Sequence, residues 1–357
     1  MSDGSFGPGG RALLRYAQGE TDAYFGYSLD PGRELVGATS EGLDGGQFVL
    51  GRSRQIGEAV TVFGENTYDM FGRRRSLTSS YGVEYKASAL FAFSGSLDVG
   101  RVTDDATSDF DRTGLSMGVA YDDDEGLQVK ARIEMRRDRG VQSGTVRDSD
   151  TILFTGNLQY APNDARRWIA SVDLADSNTA SSSTLSGEYG RVSLGYAFRP
   201  VNNDHLNLLA RYTYLYDMYG QRVDGTDAPG PRQNSHVFSI DATYDLNPRW
   251  TLGGKLGFRL GQTSPDDLTP LQRNDAVLAV LNARNHFTFK WDILVEGRYL
   301  TARQAGFDEL GVLTTAYRHF GNNMMLGVGY NFGSFSDDLT DLTTDDQGVC
   351  VRLRWFP

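Results

Sequence analysis

At 357 residues, with 46 acidic against 35 basic side chains and a net charge of −11, the chain is a poor partner for nucleic acid or, in bulk, for anionic lipid. Hydrophobic residues make up 39% of it and mean hydropathy is −0.41. No run of about 18 apolar residues occurs, which excludes a transmembrane helix but suits strands that keep one face wet.

In chain order, Met1 to Gly10 carries neither a basic nor an apolar leader region, so residues 1–9 are expected to be a flexible segment of a mature or excised domain. Two hairpins between Arg11 and Ser53 show the weakest periodicity, with a turn expected at Asp30-Pro-Gly-Arg33. Period two is then continuous. Leu115, Met117, Val119 and Tyr121 share one face of a strand, and Val129, Ala131, Ile133 and Met135 oppose Lys130, Arg132, Glu134 and Arg136. Tyr212, Tyr214 and Tyr216 oppose Arg211, Thr213 and Asp217; Phe238, Ile240, Ala242 and Tyr244 oppose Ser239, Asp241 and Thr243. Leu252, Leu256, Phe258 and Leu260 oppose Lys255 and Arg259, and Trp291, Ile293, Val295 and Tyr299 oppose Asp292, Glu296 and Arg298. Met324, Leu326, Val328 and Tyr330 oppose Gly327, Gly329 and Asn331, and a last strand sets Val349, Val351, Leu353 and Trp355 against Cys350, Arg352 and Arg354. Cys350 is the single cysteine, so no intramolecular disulfide forms.

Connection lengths alternate. Short turns near Asp30–Arg33, Gln55–Gly57, Lys86–Ser88, Asp122–Gly126, Ala161–Arg166, Arg199–Asp204, Asn247–Arg249, Phe287–Phe289 and Gly321–Asn323 are separated by longer polar loops. These are Asp69–Ser76, Thr103–Arg112, Asp138–Asp148, Ala175–Thr184, Met218–Asn234, Gln262–Asn274, Ala302–Glu309 and Ser336–Asp346. Short turns on one side and longer loops on the other predict an up-and-down transmembrane barrel with an even number of strands, roughly 16–20, of about 9–13 residues each, and put both termini on the periplasmic, short-turn side. The whole of 1–357 reads as one barrel domain.

Aromatic residues bracket the short turns on the apolar face: Tyr121, Tyr160 with Trp168, Phe198, Tyr244 with Trp250, and Trp291. Rings with an apolar body and a wet edge favour a bilayer interface, whereas a soluble sandwich buries large aromatics in mid-strand, so these seven are the expected interface girdle. The opposite face supplies the lumen and candidate selectivity residues. Lys130, Arg132 and Arg136 fall on one strand; Arg191, Arg211, Lys255 and Arg259 on three others; Arg298, Arg352 and Arg354 near the end, with Asp241 and Glu296 among the acidic neighbours. Such residues either rank charged solutes or pair across strands and stiffen the wall. The basic surplus on this face of an acidic chain predicts a weakly anion-favouring interior.

Catalytic chemistry is not expected. Gly114-Leu-Ser-Met-Gly118 matches the string of a nucleophile elbow, but that device needs a strand-to-helix turn, and here Ser116 sits inside an alternating strand. His205, His236, His286 and His319 fall near strand ends, where interfacial polarity accounts for them, and no cofactor or defined metal site is read from the spacing. Acidic loops, Asp104, Asp105, Asp109 and Asp111, Asp266 and Asp267, and Asp337, Asp338, Asp341, Asp345 and Asp346, offer oxygen ligands for Ca²⁺ but lack a Ca²⁺-loop spacing; a solvated acidic rim is the simpler expectation.

The segment Tyr317 to Thr340 and the terminal strand from Val349 resemble the last hairpin of barrel domains at the C-termini of large bacterial surface and export proteins. Aligned on Gly348, Pro357 stands where the family's closing Phe is usual. The resemblance implies a barrel in the bacterial outer membrane, inserted by the outer-membrane assembly machinery. Its role would be a pore or export channel for hydrophilic solutes or polymer, with a periplasmic partner possible, or else an anchor for larger surface domains. A soluble β-sandwich binding protein is the distant alternative.

Overall fold

The computed structural model describes residues 10–29, 46–69, 74–104, 109–123, 125–142, 145–146, 148–179, 187–201, 205–218, 232–265, 269–288, 290–302, 304, 306–321, 324–333, 339 and 347–355. They are almost wholly strand. In chain order these are β1 Gly10–Gln18, β2 Thr21–Leu29, β3 Gly46–Ile56, β4 Val60–Asp69, β5 Arg74–Lys86, β6 Phe91–Asp104 and β7 Phe110–Asp122. Next come β8 Leu127–Gln142, β9 Thr145–Val146, β10 Ser149–Asn163, β11 Arg166–Thr179, β12 Gly187–Phe198, β13 Leu206–Asp217 and β14 Arg232–Asn247. The rest are β15 Trp250–Ser264, β16 Gln272–Arg273, β17 Ala276–Thr288, β18 Trp291–Ala302, β19 Phe307–Phe320, β20 Met324–Asn331 and β21 Gly348–Trp355.

Every strand of eight residues or more pairs antiparallel with its chain neighbours, from β1–β2 through β20–β21, while β9 and β16 are two-residue strands pairing β8 and β15. This is the expected all-β, up-and-down barrel. Local chemistry fixes the tight turns. The side-chain oxygen of Asn247 accepts from the amides of Arg249 and Trp250 at 2.9 and 3.0 Å, and Asp123 accepts from Glu125 and Leu127 at 2.9 and 2.8 Å.

Alternation sorts the residues by face. On β7 the outer Leu115 and Met117 are exposed while Ser116 is buried, hydrogen-bonded to Ser96 on β6 at 2.7 Å. No strand-to-helix turn exists at Ser116, so the G-x-S-x-G string is strand wall.

Two expectations need correction. Strands reach 16 residues, because polar stretches read as loop continue the ladder: Ser149 pairs with Thr179 in register, and Thr151 and Ser177 share a hydroxyl hydrogen bond of 3.0 Å. Hydroxyl pairs satisfy a strand beyond the apolar layer as well as methyls do within it.

The termini were expected on one rim. Gln18 instead pairs with Thr21 through a tight turn at Gly19, whose φ of +56° favours glycine, so β1 starts at the rim of the longer connections and β21 ends at the short-turn rim. Nineteen strands of eight or more residues among the described ones reverse direction eighteen times, which leaves the two ends opposite. The turn expected at Asp30–Arg33 lies outside the described residues.

Candidate pore lumen and its clusters

The aromatic residues expected to form a girdle lie beside the short turns. Tyr160 pairs in register with Trp168, and Trp168 with Tyr196, whose ring centre lies 4.6 Å away. The Phe91 and Tyr121 rings meet tilted, with centres 4.9 Å apart, and the Arg318 guanidinium lies 5.5 Å from the centre of Trp291 and 5.0 Å from that of Phe320. Tyr244, Trp250 and Trp291 are exposed, and Phe198 is half-buried beside its partner Leu208. Further ring contacts lie away from the short turns: Tyr27 meets Phe48 at 4.6 Å, and Tyr212 meets Phe238 at 4.8 Å in the middle of β13 and β14. The alternation had already placed most of these rings outward; their depth is a tertiary property.

Lys130, Arg132, Arg136, Arg191, Arg211, Lys255, Arg259 and Arg298 lie on the face opposite the exposed apolar side chains, but not as one continuous ladder. Lys130 is exposed to the interior, Arg132 bonds Glu134 at 3.3 Å, and Arg136 is half-buried two positions further on. Arg191 faces Asp173 in register, Lys255 faces Asp241, and Arg298 is joined to Glu296. Arg211 is half-buried opposite Gly195 and Ser239. Arg259 is buried and donates to the carbonyl of Asn274 at 3.2 Å, which makes it a wall brace. Arg352 and Arg354 pair in register with Gly327 and Met325. Cross-strand pairing therefore accounts for several of the charges.

Of the acidic loops, Asp109 pairs with Arg101 at 3.1 Å, and the Asp266–Asp267 and Asp337–Asp346 acids lie outside the described residues.

Two features were not anticipated. On the inner face of β14, β17 and β18, Val237, Ala276, Leu278, Val280, Leu300 and Ala302 form an apolar patch, and Leu339, from the connection between β20 and β21, is buried against it. A Cβ on Gly257 would stand 3.1 Å from Leu339 Cδ1, so the missing side chain of β15 makes the seat. Leu339 thus sits on the inner face, against this patch.

At the other rim, the tight β17–β18 turn brings His286 opposite Asp292, and β19 adds His319. Asp292, only 2% exposed, takes His286 Nδ1 on one oxygen and, on the other, His319 Nε2 at 3.0 Å together with the Arg284 guanidinium. Arg284 in turn lies over the Tyr317 ring at 5.5 Å and 3.6 Å from Met325 Sδ. His205 stays apart near Tyr244, and His236 bonds the Tyr212 hydroxyl on the outer face at 2.8 Å. Counting residues across the turn would have paired His286 with Asp292; His319 needed the register of a third strand.

No protein-family model matches the chain, and no curated protein matches it in sequence. Among solved structures it is similar to the iron transporter FrpB of Neisseria meningitidis (F5-1 variant), at 10% identity over 97% of this chain and 71% of that one, with a TM-score of 0.59. It is also similar to the siderophore receptor PirA of Acinetobacter baumannii, at 9% identity, 94% and 64% coverage and a TM-score of 0.52. A third similar structure is the copper transporter OprC, at 10% identity, 96% and 71% coverage and a TM-score of 0.50. The chain thus spans about two thirds of the length of each, and at these identities the likeness shows the fold: that of an outer-membrane β-barrel.

Proposed function

We propose that the chain is a non-enzymatic transport barrel of the bacterial outer membrane, giving hydrophilic solutes or a polymer a water-filled path, with its short turns periplasmic. The observation that carries this reading is the split between faces: large apolar side chains exposed on one, and on the other most of the charged and hydroxylic groups, interrupted by apolar patches such as the one around Leu278. A barrel of this strand number is too wide for its own side chains to fill, so its interior holds water or an inserted segment. The similar structures include an iron and a copper transporter, which supports transport over a passive anchor. Insertion by the outer-membrane assembly machinery follows from the same reading.

The test is conductance. Purified chain reconstituted in a planar bilayer is expected to give discrete single-channel steps with a modest preference for anions. Bilayers that stay silent while the protein is inserted and heat-modifiable on gels would favour the anchor instead.

A further inference from the structure

We propose that His286, Asp292 and His319 form a binding site for a divalent transition-metal cation such as Zn²⁺ or Cu²⁺, at the short-turn mouth of the lumen. The three side chains offer two imidazole nitrogens and a carboxylate oxygen, all within 4.8 Å of one another. Two imidazoles with one carboxylate are a donor set of zinc, copper and iron sites, and leave a coordination position open to solvent.

Charge neutralisation alone does not account for this arrangement. Arg284 already balances Asp292, yet two further side chains from two other positions converge on the same buried carboxylate. As the site stands, each imidazole needs a proton on the nitrogen that faces Asp292. A bound cation would replace those protons, drawing in donors that belong about 3.3 Å apart around an ion at 2.0–2.1 Å. Both imidazoles have room to make that movement: the side chains of His286 and His319 are 42% and 28% exposed, towards the lumen.

The surroundings supply an outer shell. Arg284 stays on one carboxylate oxygen and fixes the orientation of Asp292, and is itself held by Tyr317 and Met325. His286 and His319 come from neighbouring hairpins, so an ion would also tie β17 to β19 across β18. Binding here does not depend on whether the barrel conducts, so this site and the transport reading stand or fall separately.

Tag-free protein in detergent is titrated with Co²⁺ and with Cu²⁺. The expected result is one saturable equivalent, a visible Co²⁺ d–d band of a four- or five-coordinate ion, and a Cu²⁺ paramagnetic resonance pattern of two coupled imidazoles. His286→Gln and His319→Gln should each weaken binding by more than about tenfold, with His205→Gln and His236→Gln unchanged. Absence of saturable binding by the wild-type protein, a Cu²⁺ spectrum without imidazole coupling, or equal affinity in the His286 and His319 variants would each overturn the proposal. The Cu²⁺ spectrum is read on the unaltered chain, so a variant that fails to fold does not leave the question open.

Discussion

Leu339 occupies the space that a side chain at residue 257 would fill: a Cβ built on Gly257 falls 3.1 Å from its Cδ1. The leucine is buried among Val237, Leu278 and Leu300, on the face opposite the exposed apolar side chains. Burying a leucine contributes about 1.5–3 kcal/mol, enough to bias a loop about tenfold or more towards the inserted position. Leu339→Ser and Gly257→Val, the second by crowding the seat, should therefore both raise single-channel open probability by about tenfold. Identical recordings from wild type and both variants would show that the seated leucine does not restrict the path.

The fold was legible because one face of every strand had to satisfy lipid and the other water, a constraint that writes period two into the sequence from Leu115 to Trp355. Where both demands weaken, reading fails. Ser177 continues the ladder, bonded to the hydroxyls of Ser149 and Thr151, in a stretch that looks like loop, and Gly19 makes a turn that one glycine hardly announces. The seat of Leu339 and the meeting of His286 with His319 depend on which strands lie side by side and at what register, information spread over more than 30 residues of chain in the second case.

Neighbouring residues on β7 test the face assignment. Met117 is 60% exposed and outward, and Ser116 is 4% exposed and inward. Met117→Arg should destabilise the inserted barrel by about 2–4 kcal/mol, the cost of an arginine near the bilayer midplane. Ser116→Ala loses only the hydroxyl pair with Ser96, about 1 kcal/mol. Urea unfolding in phospholipid vesicles measures both; a larger loss from the serine variant would reverse the faces.

Arg211 and Arg259 look equivalent in the sequence and differ in the wall. Arg211 is half-buried beside Gly195 and Ser239, whereas Arg259 is buried and holds the Asn274 carbonyl. Arg211→Glu should leave the barrel folded and shift reversal potential towards cations. Arg259→Glu should instead lower the temperature of heat modification, because it buries a carboxylate against a carbonyl oxygen. An unshifted reversal potential in Arg211→Glu would remove this residue from the conduction path.

Asp275, in the connection entering β17, joins the rim together: its carboxylate accepts from Arg273 and from the Gly261 amide at 3.3 Å, and Gln304 reaches it from the next connection at 3.3 Å. The Arg273 hydrogen bond, with the Gly261 amide behind it, holds the Asp275 carboxyl below its ordinary value of 3.8. A depressed acid stabilises the folded state fully above its unfolded value, and that contribution is lost as pH falls through the lower, folded value. The Gly261 amide resonance should therefore be steady around neutral pH and move only at a lower pH than an ordinary aspartate would require. In Asp275→Asn the step should vanish, and the resonance should sit at neutral pH where the acidified wild type arrives. A Gly261 resonance that titrates equally in both proteins would assign the step to another group.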